Sequence, residues 1–410
     1  MASIKANRSV ALMALLLLGR FSSQAGSLRE IWELDLRKIV RGTPSSNVAS
    51  LPLQLLKFSP DGQQLAVAVA WDLSLKVLKS QLLVIQTQHP TEAAKQFEIS
   101  AGIGNEGIPS ARLFGWSPDG KTLFAAGKVI HPQNGKTCEL SHASAPPFWP
   151  SALIGNDLLI QGGPDAPDGP AVRAWMDAIR EALKNSGNRP LSSLPPAPPE
   201  VKSHFKFFDS ECQSQGEQWE VAEAWNIYDV SIERGLVAMI RKRGFNTYTF
   251  LTVDPVARKI IRRESADNGN MGSFADGGRA VCRGGDVIGK GKAPVTCWDV
   301  DTGNKISQSP SINGGDPMVT AAHSNRVVAT DYHRVFDFLF SDDYEPVVDK
   351  LVVWDFRRGK ELVSWRPKSQ SYLDVDNKRV KEPFQFTISP DGEYIAEGGN
   401  GIVRLYKIEP

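Results

Sequence analysis

Phe58-Ser59-Pro60-Asp61-Gly62-Gln63-Gln64-Leu65-Ala66 runs from an apolar residue through Ser-Pro-Asp-Gly and two polar residues back to apolar side chains. The pattern returns without gaps as Trp116-Ser117-Pro118-Asp119-Gly120-Lys121-Thr122-Leu123-Phe124 and as Ile388-Ser389-Pro390-Asp391-Gly392-Glu393-Tyr394-Ile395-Ala396. Proline at the second turn position sets φ for a type I turn, aspartate bonds the backbone locally, and glycine accepts the left-handed geometry that closes a hairpin. Each copy therefore predicts strand, tight turn, strand. Strand-like runs precede the turns (LQLLKF, ARLFGW, PFQFTI), and small-residue runs follow them (LAVAVA, LFAAG, IAEGG), suited to a crowded interior.

At about 54 residues per unit, the interval from the second turn to the third holds five periods, which makes seven units in all. Four weaker copies fill it, at Ile154–Ile160, Ser231–Ala238, Ser273–Val281 and Ala322–Ala329. Within units, Val295–Gly303 (VTCWDVDTG) and Leu351–Gly359 (LVVWDFRRG) read as third strands entering turns, followed by KISQS and ELVSW as fourth strands. Four strands per unit, repeated seven times, predict an all-β, seven-bladed β-propeller. The seventh unit is one strand short at Pro410, and Leu28–Leu36, with apolar Ile31, Leu34 and Leu36, is expected to complete it as the outer strand. The alternative for residues 27–40 is a loose arm before the first blade.

The Ser-Pro-Asp-Gly turns, with Trp298-Asp299 and Trp354-Asp355, resemble the WD40-like propellers of bacterial secreted proteins, including TolB-type relatives. The resemblance covers residues 27–410 as a single domain, and it implies a binding platform more often than a catalyst. It departs from the intracellular WD40 pattern in having no Gly-His dipeptide, so the histidine network of those blades is not implied here.

Residues 1–26 read as a secretory signal peptide: Lys5 and Arg8 precede the apolar run Val10–Leu18, and Ser23-Gln24-Ala25 offers small residues for cleavage. Its removal takes Lys5, Arg8 and Arg20 and no acid, moving the net charge from +1 to −2. No cationic field remains to favour nucleic acid. No run reaches the roughly 18 apolar residues of a membrane-spanning helix. Cys138, Cys212, Cys282 and Cys297 are an even set in an oxidising compartment, and three connectivities are open. Cys282 and Cys297 flank a Gly-rich turn, so a hairpin would set them opposite one another, with Cys138 and Cys212 as the second pair. Buried free thiols are the competing account.

Two insertions break the spacing. Residues 162–201 carry Val172, Trp175, Met176, Ile179 and Leu183 on one helical face and a Pro-rich strip, Pro190–Pro199. That face is expected to plug against the propeller side, which leaves any further role of the insertion open. Asp331–Asp349, between the second and third strands of the sixth unit, interleaves Tyr332, Phe336, Phe338, Phe340 and Tyr344 with acids. Aromatics beside charges suit a partner-binding hot spot, and an extended hairpin packed on its neighbours is the alternative.

Several motifs tempt without the context they need. Gly115–Thr122 satisfies the P-loop pattern, but a strand follows where a helix N-terminus must meet the phosphates. Gly102–Gly107 matches a dinucleotide fingerprint ahead of Pro109 and another strand. Asp299-Val300-Asp301-Thr302-Gly303 starts like a calcium loop and lacks its later glutamate. The basic run from Arg234 to Arg263 reads as solvent-facing hairpin ends or as an anion-binding rim. The expectation is a monomeric, exported, non-catalytic propeller that binds an unidentified protein or peptide, with no cofactor, metal or catalytic set. The rival is a propeller enzyme, lactonase-like or a lyase, with a metal in the central channel.

Overall fold

The computed structural model describes residues 26–40, 53–71, 79–90, 94–100, 114–125, 128–140, 151–156, 158–164, 170–186, 202–223, 225–242, 247–267, 272–284, 294–309, 312, 314–335, 345–368, 372–375, 378–381, 385–399 and 401–409. Seven four-stranded antiparallel sheets follow one another along the chain, each a blade whose first strand lies innermost. The innermost strands touch their neighbours and close the ring. Blades 1 to 6 are local meanders spanning residues 53–100, 115–139, 151–222, 226–267, 273–308 and 314–365. Blade 7 takes Gln385–Ile388, Tyr394–Gly399 and Ile402–Glu409 from the end of the chain and its outer strand, Ser27–Asp35, from the beginning.

The three Ser-Pro-Asp-Gly turns match bond for bond. In each, the glycine N–H donates to the serine carbonyl at 2.8–2.9 Å, with φ near +70° at Gly62 and Gly120 and +79° at Gly392. The aspartate carboxylate accepts the amide two residues on: Gln63, Lys121 and Glu393, at 3.0, 3.1 and 2.9 Å. The serine hydroxyl does more than the motif suggests. It donates to the aspartate at 2.5, 2.7 and 2.5 Å and accepts the amide five residues on, at 2.9, 2.9 and 2.8 Å.

Period-2 alternation explains the core. Successive residues of a strand point to opposite faces of its blade, and in a propeller both faces meet another blade. In the second strand of blade 1, Leu65, Val67 and Val69 pack toward blade 7, whereas Ala66 and Ala68 pack toward blade 2. All five are fully buried. Each of the seven apolar clusters among the described residues lies on one seam between adjacent blades. The small residues after each turn, Ala66, Ala68, Ala125 and Ala396, are fully buried in the second strands.

Three details go beyond the sequence reading. A register shift between Glu30 and Trp32 turns Trp32 inward and leaves Ile31, expected on the buried face, 39% exposed. The insertion holds an α-helix, Pro170–Ser186, with Trp175 and Ile179 half-buried and Asp177, Arg180, Glu181 and Lys184 exposed. A small hairpin, Tyr372–Val375 with Lys378–Lys381, fills part of the connection from blade 6 to blade 7. No helix among the described residues is long and apolar enough to cross a membrane.

Candidate functional site

Strand direction divides the connections between two rims. Connections from first to second strands and from third to outer strands emerge on one rim; connections from second to third strands and between blades emerge on the other. The first rim is built of tight turns, the longest connection being residues 87–94. The second carries residues 101–114, 140–150, 165–201, 284–295 and 366–384, together with the hairpin of blade 6. The long connections thus leave the ring from strand ends on a single side, the arrangement on which binding loops are commonly carried.

On that loop rim, the second and third strands of blade 6, Arg326–Val335 and Glu345–Asp355, pair from Arg326↔Asp355 out to Val335↔Glu345, passing the limits of the other two strands. Tyr332 lies in this extension opposite Val348. Phe336, Phe338, Phe340 and Tyr344 lie outside the described residues, as does the Gly102–Gly107 loop.

The turn rim opens on the central channel through a cavity of about 310 Å³. Its wall is mostly apolar, with Phe58, Trp116, Phe274, Met318 and Phe386 from the inner strands and Pro60, Pro118 and Pro390 from the turns. Four ionisable side chains line it: Lys57, Asp229, Glu233 and His323. Composition did not single these out, because each comes from a different or weakly repeated position at an inner-strand end. Asp229 is 4% exposed, and its carboxylate accepts the Phe274 amide at 2.7 Å, tying blade 4 to blade 5. The Thr320 hydroxyl donates to the Phe274 carbonyl from the other side. Likewise Trp116 Nε1 donates to the Lys57 carbonyl at 3.3 Å. Inner-strand edges would otherwise present bare backbone groups to the channel, and these side chains satisfy part of that edge. No group of three or more His, Cys, Asp or Glu side chains among the described residues is gathered closely enough to hold a metal ion.

The charged motifs resolve into contacts within and between blades. Lys121, the would-be phosphate lysine, pairs with Asp119 of its own turn at 3.2 Å, and Leu123–Ala125 after it is a strand. Burial works to raise the Asp119 pKa, but the Ser117 hydroxyl, the Lys121 amide and the Lys121 ammonium together hold it below the usual value. Asp299 is lowered chiefly by the Thr302 amide and then by its hydroxyl, as a turn carboxylate. Asp301, the second acid of the calcium-like stretch, pairs with Arg234 at 2.9 Å. The basic run of blade 4 is matched by acids on both faces. Glu223 bridges Arg241 and Arg263, both at 2.8 Å, on the blade 3 side. Glu264 bridges Arg262, at 2.8 Å, and Arg283 on the blade 5 side.

The four cysteines form two disulfides. Cys282–Cys297 joins directly paired residues of the second and third strands of blade 5. Cys138–Cys212 crosses from the outer strand of blade 2 to a turn of blade 3. Two disulfides suit an oxidising, extracytoplasmic environment.

Together the ring and its two rims define a seven-bladed β-propeller. No family model and no curated protein matches the chain. Among solved structures, the chain is similar to one in the crystal structure of the mitotic checkpoint complex, at 13% identity over 93% of this chain and 95% of that one, with a TM-score of 0.48.

Proposed function

We propose that this is an exported, non-catalytic propeller of the bacterial WD40-like, TolB-like kind, acting as a monomer that captures a protein or peptide on its loop rim. Cleavage of residues 1–26 would deliver it to the periplasm or the medium. The observation that carries the reading is the one-sided distribution of connections: tight turns close one rim and every long segment leaves from the other. The aromatic-acidic hairpin of Tyr332, Phe336, Phe338, Phe340 and Tyr344 supplies residue types found at interface hot spots. The channel offers less to the rival enzyme reading, since Asp229, its most buried carboxylate, is engaged with the Phe274 amide.

The test is capture of a partner from the extracytoplasmic fraction of the producing cells by three proteins: the parent, Phe336→Ser/Phe338→Ser/Tyr344→Ser, and the turn-rim variant Lys121→Glu/Glu393→Lys. Capture lost in the first variant and kept in the second, at unchanged melting temperatures, is the expected result. Capture lost only in the turn-rim variant, or a large fall in melting temperature for the aromatic variant, overturns the assignment of this hairpin.

A further inference from the structure

The two disulfides differ in what they join and in who can reach them. Cys282 and Cys297 are 0% exposed and packed in the apolar seam between blades 5 and 6, with Met318, Val352 and Trp354. Cys138 and Cys212 are half-buried at the outer margin of the ring. Cys138 lies in the short outer strand Thr137–Glu139, and Cys212 lies in the turn after Asp209, with a left-handed φ of +61°. Their bond is the covalent link between blade 2, whose described strands are the shortest in the ring, and blade 3. Other ties across this seam are few among the described residues: the Asp119 amide donates to Asn156 Oδ1 at 2.9 Å, His131 meets the Ser210 carbonyl and Glu211, and the apolar cluster there is the smallest of the seven described.

We propose that Cys138–Cys212 is a redox modification site, a latch between blades 2 and 3 that a dithiol reductant opens while Cys282–Cys297 stays closed. Thiol–disulfide exchange needs a thiolate to reach a sulfur, so access sets the order in which folded-state disulfides react. One thiolate of the reductant attacks a sulfur of the pair, the Cys138–Cys212 bond breaks, and the departing cysteine takes up a proton. The second thiol of the reductant then attacks the mixed disulfide and frees the other cysteine. The reductant ends as a disulfide, and two electrons have passed to the protein pair.

The surroundings of Cys138 suit the reduced state. Its Sγ lies 3.5 Å from the Ser210 carbonyl oxygen, so a thiol formed there has an acceptor in place. His131 Nε2 meets the same oxygen at 3.1 Å and stands 3.9 Å from Glu211 Oε1. With the latch open, blade 2 keeps its few strand bonds and a thin apolar seam, and it becomes the least secured part of the ring. This inference is independent of the loop-rim reading, because it needs no partner.

The experiment exposes the folded, oxidised protein to dithiothreitol without denaturant, traps thiols with iodoacetamide over time, and maps the labelled peptides. Cys138 and Cys212 are expected to label at least about tenfold faster than Cys282 and Cys297. Amide exchange in Leu123–Ala125, Lys128–Ile130 and Thr137–Glu139 should accelerate on their reduction, with blades 5 and 6 unchanged, and reoxidation should reverse it. The double variant Cys138→Ser/Cys212→Ser should show the same exchange pattern without reductant; if it does not fold, the parent protein decides alone. Equal labelling of the two pairs, prior labelling of Cys282 and Cys297, or reduction that leaves blade 2 exchange unchanged overturns the proposal.

Discussion

Ser117 is fully buried and stands between two demands: its hydroxyl gives a proton to Asp119 and receives the Thr122 amide, itself in a residue only 3% exposed. Replacing it with alanine keeps the turn's Pro-Asp-Gly but takes the acceptor from a buried N–H, which costs about 1–3 kcal/mol. Urea unfolding of Ser117→Ala should show that loss, while Lys121→Ala, whose side chain is 68% exposed, should stay within about 0.5 kcal/mol of the parent. A loss as small in Ser117→Ala would mean that the turn is held by its backbone alone. Proline, aspartate and glycine could be read in the motif because their roles are local: a fixed φ, an acceptor two residues on, a left-handed residue. The serine's role depends on the residue five positions later, and so on the hairpin register, which the motif by itself does not state.

Blade 4 shows how alternation turns a run of like charge into two separate structures. Arg262 and Arg263 are neighbours in the chain but point to opposite faces, so one joins Glu264 and Arg283 toward blade 5 and the other joins Glu223 and Arg241 toward blade 3. The basic run was visible in the sequence, but its partners lie in other blades, and neither a rim of free cations nor an anion site could be told from a pair of Arg-Glu-Arg seams. Arg283 is the sensitive member: its side chain is 8% exposed and its guanidinium lies 3.9 Å from the centre of the Phe250 ring. Glu264→Gln would leave that cation buried without its counter-charge, a change expected to cost about 3–5 kcal/mol. Adding Arg283→Met removes the orphaned charge, and chemical denaturation of the double variant should recover a large part of the loss. Failure of the double variant to recover would show that the seam depends on shape rather than on charge.

Ring closure decides whether seven meanders become one molecule. The three strand runs of the last unit and the alternating segment Leu28–Leu36 made the closing partner legible, since an unpaired edge in the last blade would be left bare. The inward turn of Trp32 was not legible, because a bulge shifts the apolar positions by one and defeats period-2 reading. With that shift, Trp32 Nε1 donates to the Thr87 carbonyl of blade 1 at 2.7 Å, and Leu34 and Leu36 fill the seam between blades 7 and 1. On the opposite side the Gly26 amide donates to the Leu362 carbonyl of blade 6 at 2.8 Å, and Lys368 pairs with Glu30 at 2.7 Å. One strand therefore touches three blades, and its backbone pairs with Ile402–Glu409 from Ser27↔Glu409 to Asp35↔Ile402. Deleting residues 27–35 would uncover the Ile402–Glu409 edge and open the seam with blade 1 at once. The truncated protein should melt more than about 5 °C below the parent or aggregate through that edge. A synthetic peptide of residues 26–40 in excess should raise the melting temperature again by adding back the missing strand, whereas a peptide with Leu34→Asp should not, because it would place a carboxylate in the apolar seam. A truncated monomer that melts with the parent, or rescue by the Leu34→Asp peptide, would show that the ring closes without this strand.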